Sequence, residues 1–164
     1  MSALPLLLLA VLATTFGLWA RIMVPSLGVA WPCLPLIIVV HAGRLAPERR
    51  ATLAAILCGL IEGALLPQQF LFPTVVLLLI QVLVRFTRGY WGLHGFTSMT
   101  AYFLFLFAVY QLLLTGLRML LSSEFSPESP AHMMIFGALT TALVGAAAAR
   151  LFRIPAFRHA WERP

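Results

Sequence analysis

Residues 44–66 read RLAPERRATLAAILCGLIEGALL. They contain a basic turn, with Arg44, Arg49 and Arg50, followed by an apolar run that one carboxylate interrupts. The apolar run predicts a transmembrane helix over about residues 51–66. A helix of this kind must be covered by protein or by lipid, and the rest of the chain indicates which.

The whole chain shares the composition of this stretch. Its 164 residues are 62% hydrophobic and only 10% charged, far from the balance of a soluble domain. Six apolar runs predict an all-α, polytopic membrane protein, a six-transmembrane-helix bundle that forms one integral domain over residues 1–164. The predicted spans are residues 3–20, 28–42, 51–66, 70–86, 97–121 and 131–152, and a short tail follows at residues 153–164.

Two of the predicted spans have unusual features. Span two holds about 15 residues and carries Pro32 and Pro35, which remove backbone donors and should kink the helix or delay its start. We expect neighbouring helices to shield this short span, or the bilayer to thin around it. Span one has no basic residue before its apolar run and no Ala-x-Ala after it, so we expect a retained span rather than a cleaved signal peptide.

The charged residues predict the orientation. The chain has 11 Arg, no Lys, 5 Glu and no Asp, with a net charge of +6. With both termini cytoplasmic, nine arginines lie inside, against two outside, Arg21 and Arg118. This bias follows the positive-inside rule for an even number of spans, and it favours cytoplasmic basic loops over nucleic-acid binding. The inside arginines are Arg44, Arg49, Arg50, Arg85, Arg88, Arg150, Arg153, Arg158 and Arg163.

Small residues recur at a spacing of four in two predicted spans. Such a stripe lets a second helix approach closely. Internal packing is the more common use of such a stripe, and a surface for a partner helix is the alternative. The residues are Ala55, Gly59 and Gly63 in span three, and Gly137, Thr141 and Gly145 in span six.

Glu62 is the one charged residue deep inside a predicted span. It lies about 18 Å along the helix from Arg50, where an unpaired carboxylate would cost a few kcal/mol. We therefore expect span three to be the inner helix, with Glu62 facing protein or water. Its role stays open between an ion site, a ligand contact, an anchor for a partner helix and a structural hydrogen bond.

The sequence contains no recognisable catalytic motif. It lacks a phosphate-binding glycine loop, a Gly-x-Ser-x-Gly elbow, a His-Glu-x-x-His pair and a paired-cysteine metal spacing. Cys33 and Cys58 are expected to be buried small hydrophobic residues. His41 is expected at the interface, and Ser98, four residues after His94, in a capping or interfacial role. We expect no enzymatic activity, no metal and no cofactor.

Residues 32–88 resemble the rod shape-determining protein MreD family. The resemblance rests on Pro32 followed by the aliphatic run at residues 34–40, on the basic turn with Pro at residues 44–50, and on the helix with Gly59, Leu60 and Glu62. The family usually has Asp where this chain has Cys33 and Glu62. Its Pro-Leu-Gly-Leu-like segment is also absent, and residues 67–73 stand in that place.

The resemblance implies a non-enzymatic scaffold of the bacterial cell-elongation complex in the inner membrane. Such proteins bind the single-span protein MreC and, through it, the transpeptidase–glycosyltransferase pair that builds the lateral peptidoglycan and the MreB filament. We expect the partner helix on the small-residue faces, with Glu62 near the contact. The fold is also similar to the substrate-binding S-components of energy-coupling-factor vitamin transporters, so a small-molecule uptake subunit is the alternative function.

Overall fold

The structure is a computed structural model that describes residues 4–23, 32–64, 71–87, 95–121 and 131–151. Within these ranges all of the regular structure is α-helical. The all-α prediction is therefore confirmed for this part of the chain. The helices are α1 Leu4–Met23, α2 Leu34–Leu45, α3 Glu48–Gly63, α4 Phe72–Thr87, α5 Phe96–Leu121 and α6 Ala131–Leu151.

Prolines set the bounds of α2 and α3. Pro35 lies in the first turn of α2, where its missing N–H costs no hydrogen bond. Ala46, before Pro47, is extended and ends α2, because a residue followed by proline disfavours the helical conformation. Pro47 is the N-cap of α3, and its carbonyl accepts the first helical hydrogen bonds, 3.1 Å from Arg50 N and 3.0 Å from Ala51 N. Only two residues therefore separate the two helices.

The predicted inner helix was wrong, because α2 is the central one. Nine consecutive residues of α2, from Pro35 to Gly43, are buried. It packs against α1, α3, α4 and α6, whereas α3 leaves Leu53 exposed. A helix enclosed on all sides has no polar face, and the aliphatic run of α2 fits this position.

The basic turn predicted at residues 44–50 also differs from the structure. Arg44 lies in the last turn of α2 and Arg49 and Arg50 lie in the first turn of α3, so these arginines are on helix ends rather than in a loop. Arg85 likewise lies in the last turn of α4. Arg88 lies outside the described residues.

The core lies around α2 and is built from aliphatic and aromatic side chains of α4, α5 and α6. Tyr102, Tyr110 and Phe103 are the largest fully buried side chains among the described residues. The most extensive packing joins α3 to α4 and α5 to α6. Other residues in the core include Leu36, Val39, Val40, Val76, Leu77, Ile80, Leu106, Ala142 and Ala146.

The outer surface of the bundle is also apolar. On α1, α4 and α6, large exposed hydrophobic side chains recur every three or four residues and form one line along each helix, here called the outer stripes. The outer stripes are Leu8, Leu12, Phe16, Trp19 and Met23 on α1; Leu71, directly before α4, with Val75, Leu79, Val82 and Phe86 on α4; and Ile135, Leu139 and Leu143 on α6.

One described helix, Phe96–Leu117 within α5, is long and apolar enough to cross a membrane by itself, and only 28% of its apolar window is buried. The helices α2 and α4 and residues 134–150 of α6 are apolar but shorter. The 12 residues of α2 extend about 18 Å and the 16 residues of α4 about 24 Å, against a hydrocarbon core of about 30 Å.

Candidate functional site

The small-residue stripe of α3 forms a close contact inside the chain. Ala55, Gly59 and Gly63 are all buried. A Cβ on Gly59 would lie against the Thr74 Cα and 2.7 Å from the Thr74 backbone nitrogen. The backbones of α3 and α4 therefore meet at Gly59, and this face is covered by the protein's own helix.

The small-residue stripe of α6 is likewise covered from within. Gly137, Thr141 and Gly145 are buried. A Cβ on Gly145 would lie 2.7 Å from ring atoms of Phe103 on α5. A third close approach joins Gly43 of α2 to Val84 of α4. A Cβ on Gly43 would lie 3.0 Å from the Val84 Cγ1 atom. Gly43 is not part of either stripe with four-residue spacing.

Thr141 connects α6 to the start of α2. Its hydroxyl accepts a hydrogen bond of 2.8 Å from the backbone N–H of Cys33 and donates one of 2.6 Å to the Gly137 carbonyl. Cys33 is the N-cap of α2 and makes no capping hydrogen bond with its own side chain. Thr141 thus provides from another helix the acceptor for the N-cap N–H that the side chain at N3 provides in a capping box.

His41 is buried rather than interfacial, so the sequence-based expectation for it was wrong. Only 1% of the residue is exposed, and its Nε2 lies 3.1 Å from the Gly145 carbonyl oxygen. Its ring also packs on Phe103, with the centroids 5.5 Å apart. A polar residue on a buried helix needs such a partner, and the sequence does not show that α6 supplies it.

Glu62 is half-buried in the last turn of α3. Because α3 ends at Gly63, the carboxylate lies at the end of a short helix, far from Arg49 and Arg50 at its beginning. Its Oε2 atom is enclosed by protein, in line with the expectation that the side chain faces protein or water.

Arginines gather at the opposite end of the bundle, here called the basic end. It comprises the last turns of α2, α4 and α6 and the first turns of α3 and α5. Arg85 NH1 lies 3.0 Å from Glu48 Oε2, which joins α4 to α3. The arginines of the basic end are Arg44, Arg49, Arg50, Arg85 and Arg150.

Two further contacts of the basic end involve α5. Arg44 NH1 lies 3.0 Å from the Met99 sulfur, and the Arg150 guanidinium lies over the Phe96 ring, 4.9 Å from its centroid. Both contacts join residues more than 50 positions apart, so no local pattern could have predicted them. Together with the Glu48–Arg85 pair, they place five helix ends on one surface.

The described residues show little that resembles a catalytic or metal centre. Among them, no group of three or more His, Cys, Asp or Glu could hold a metal ion. Cys33 and Cys58 are buried thiols, and Thr14 of α1 donates to the Cys58 sulfur at 3.5 Å. Ser98 bonds both the N–H and the carbonyl of Gly95 at the start of α5, which is a capping arrangement. His94 lies outside the described residues.

Comparison with known proteins found no matching family model, no matching curated protein and no matching solved structure. The helical packing and the basic end are therefore the features from which a function can be argued.

Proposed function

We propose that this chain is a multi-span protein of the bacterial inner membrane and a non-enzymatic scaffold of the cell-elongation complex. The outer stripes are the observation that carries the membrane assignment. The resemblance of residues 32–88 to the MreD family supports the assignment to the cell-elongation complex. The membrane assignment and the complex are argued and tested separately below.

The outer stripes support a lipid-facing exterior. A helix on the surface of a soluble protein presents a polar face to water. On α4 the outward positions are instead Val75, Leu79, Val82 and Phe86, each exposed by 44% or more. These helices are apolar on their inner faces as well, and a helix that is hydrophobic on all sides belongs inside a large core or a membrane.

The short helices are compatible with a membrane bundle because of where they lie. The 12-residue α2 is enclosed by its neighbours, so the bilayer thickness does not constrain it. The longer α5, at 26 residues, faces outward along much of its length. A helix shorter than the hydrocarbon core can still form one crossing when neighbouring helices cover the backbone on either side of it.

The basic end supports an orientation with this end in the cytoplasm. Five arginines of the described helices lie there, and basic residues favour the cytoplasmic side of membrane proteins. We propose six crossings with both termini cytoplasmic.

Reporter fusions test this topology. Alkaline phosphatase fused after residues 68 or 126 should be active, and fused after residues 46 or 92 inactive, with fluorescent-protein fusions giving the reverse pattern. Resistance of the native chain to carbonate extraction checks membrane integration. Activity at all four positions, or release by carbonate, would contradict the proposal.

The proposed partner is the single membrane helix of an MreC-like protein. The stripes around Gly59 and Gly145 are covered internally, so a partner on those faces would have to displace α4 or α5. Gly116 on α5 differs, because a Cβ there would meet no other helix of the described residues within 4 Å. Its neighbours Leu112, Met119 and Leu120 are more than half exposed. We place the partner helix on this face of α5.

Co-purification in mild detergent tests the partner. Native chain co-expressed with the single-span protein should recover it, and Gly116→Leu should reduce recovery at least several-fold because the added side chain holds the helices apart. Ala147→Leu is the matched control, since it introduces the same side chain at an exposed position of α6. Equal loss in both variants would remove α5 from the contact. Recovery of an ATPase pair with a coupling subunit would select the uptake transporter instead.

A further inference from the structure

The described residues of the basic end carry an excess of positive charge. Among the described residues, its five arginines are accompanied by one carboxylate, Glu48, which leaves four net positive charges. Glu48 is itself 76% exposed, so its charge is largely screened by solvent. Arg49, in the same turn, is exposed.

Exposed apolar side chains border these arginines. Phe86, next to Arg85, is 75% exposed, and Phe96, beneath Arg150, is 37% exposed. Leu53, one turn after Arg49, is also exposed. Guanidinium groups beside outward apolar side chains fit the boundary of a bilayer, where the apolar side chain enters the hydrocarbon and the cation stays in the polar layer.

We propose that the basic end binds the phosphates of anionic glycerophospholipids, with Arg49 and Arg85 as principal contacts. A guanidinium group can donate two parallel hydrogen bonds to the oxygens of one phosphate. It therefore suits this ligand better than the ammonium group of a lysine. The ring of Phe86 lies beside the acyl chains. The ligand is a lipid headgroup rather than a free anion or an acidic protein. The arginines are bordered by apolar side chains, and only a lipid offers an apolar phase to these side chains as well as a phosphate to the arginines.

This inference rests on the membrane assignment made above, and lipid titration of the purified full-length chain tests it. Thermal unfolding is followed in mild detergent as phosphatidylglycerol, cardiolipin or phosphatidylcholine is added. We expect the two anionic lipids to raise the unfolding midpoint of the native chain and phosphatidylcholine to leave it unchanged. Inorganic phosphate at the same concentration should also have no effect, which separates a headgroup from a free ion.

Arginine variants locate the site. Arg49→Gln should weaken the apparent affinity for phosphatidylglycerol about five-fold, the factor that corresponds to about 1 kcal/mol for one basic residue near an anionic surface. Arg49→Gln combined with Arg85→Gln should weaken it further. Arg118→Gln is the matched control, because it removes the same charge near the other end of α5.

Several outcomes would overturn the inference. The first two are equal stabilisation by anionic and zwitterionic lipid, and stabilisation by free phosphate. The third is an equal loss of lipid affinity in the Arg49 and Arg118 variants. The fourth is an acidic protein whose binding is lost in the Arg49 variant while lipid binding is kept. Failure of the membrane assignment gives a different result, since the chain would then be extracted from membranes by carbonate. A chain that stays in the membrane without lipid preference refutes the lipid site alone.

Discussion

Gly59 on α3 and Gly116 on α5 lie in helices of similar apolar character but in opposite surroundings. A Cβ on Gly59 would collide with the backbone of Thr74, whereas a Cβ on Gly116 would meet no other helix within 4 Å in the part of the chain that the structure describes. The first glycine allows two helices of one chain to meet, and the second leaves open a place where another molecule can approach. The comparison shows that the structural role of a small residue in an apolar helix depends on what packs against it.

The same contrast separates the interior of the bundle from its exterior. Inside, several polar groups are bonded to other helices, as with the buried His41 to Gly145 and the part-buried Thr87 to Tyr102 at 2.7 Å. Outside, the stripes of α1, α4 and α6 are apolar. This distribution is expected where the surroundings of the protein cannot supply hydrogen bonds.

Leu79→Arg should have the largest effect, because it puts a charge in the middle of the α4 outer stripe. We expect a cost of about 3 kcal/mol for membrane insertion, measured as the fraction of chain integrated into membranes. Phe86→Arg is the control, since it lies two turns later on the same face, beside the basic end, and should be tolerated. Equal tolerance of both substitutions would contradict the proposal that the outer stripe of α4 faces lipid.

Gly59→Ala should destabilise the bundle by about 2 kcal/mol, because the methyl group meets backbone atoms of α4 that cannot rotate away. Gly116→Ala should change stability by less than about 1 kcal/mol and in the stabilising direction, since alanine favours a helix. Unfolding midpoints in detergent, or titration with a denaturing detergent, measure both. Equal responses would mean that the two glycines do not differ in surroundings.

Thr141→Val should cost about 1–2 kcal/mol, since it removes the acceptor for the Cys33 N–H within the core. Thr140→Val is the neighbouring control, because that hydroxyl bonds the Phe136 carbonyl in its own helix and should be nearly neutral. Thr141→Ser keeps the hydroxyl and should retain most of the stability. Hydrogen exchange at the start of α2 would report the same loss locally, and an unchanged exchange rate would contradict it.

Glu48→Gln should have the smallest effect on stability, below about 1 kcal/mol, because its pair with Arg85 is exposed on the carboxylate side. The substitution also removes the one described carboxylate of the basic end. If that end binds anionic lipid, Glu48→Gln should raise the apparent affinity for phosphatidylglycerol in the titration described above. A lowered affinity would indicate that Glu48 positions Arg85 for the lipid rather than competing with it.

Much of the helical layout could be predicted, because apolar runs and prolines act locally. The predicted spans overlap α1–α6, and the delayed start of span two follows from Pro32 and Pro35. The site was harder to predict. The four-residue spacing identified Gly59 and Gly145 as packing positions, but Gly43 follows no such spacing. The burial of His41 depends on a carbonyl 104 residues away.

The sequence by itself determined that this chain forms apolar helices and carries arginines where several of them end, since composition, proline positions and charge are local properties. The tertiary structure decided which helix is central, which glycines are covered and which arginines share a surface. Those depend on contacts between distant segments, and in a chain that is apolar on nearly every face, hydrophobic periodicity does not distinguish the side that meets protein from the side that does not.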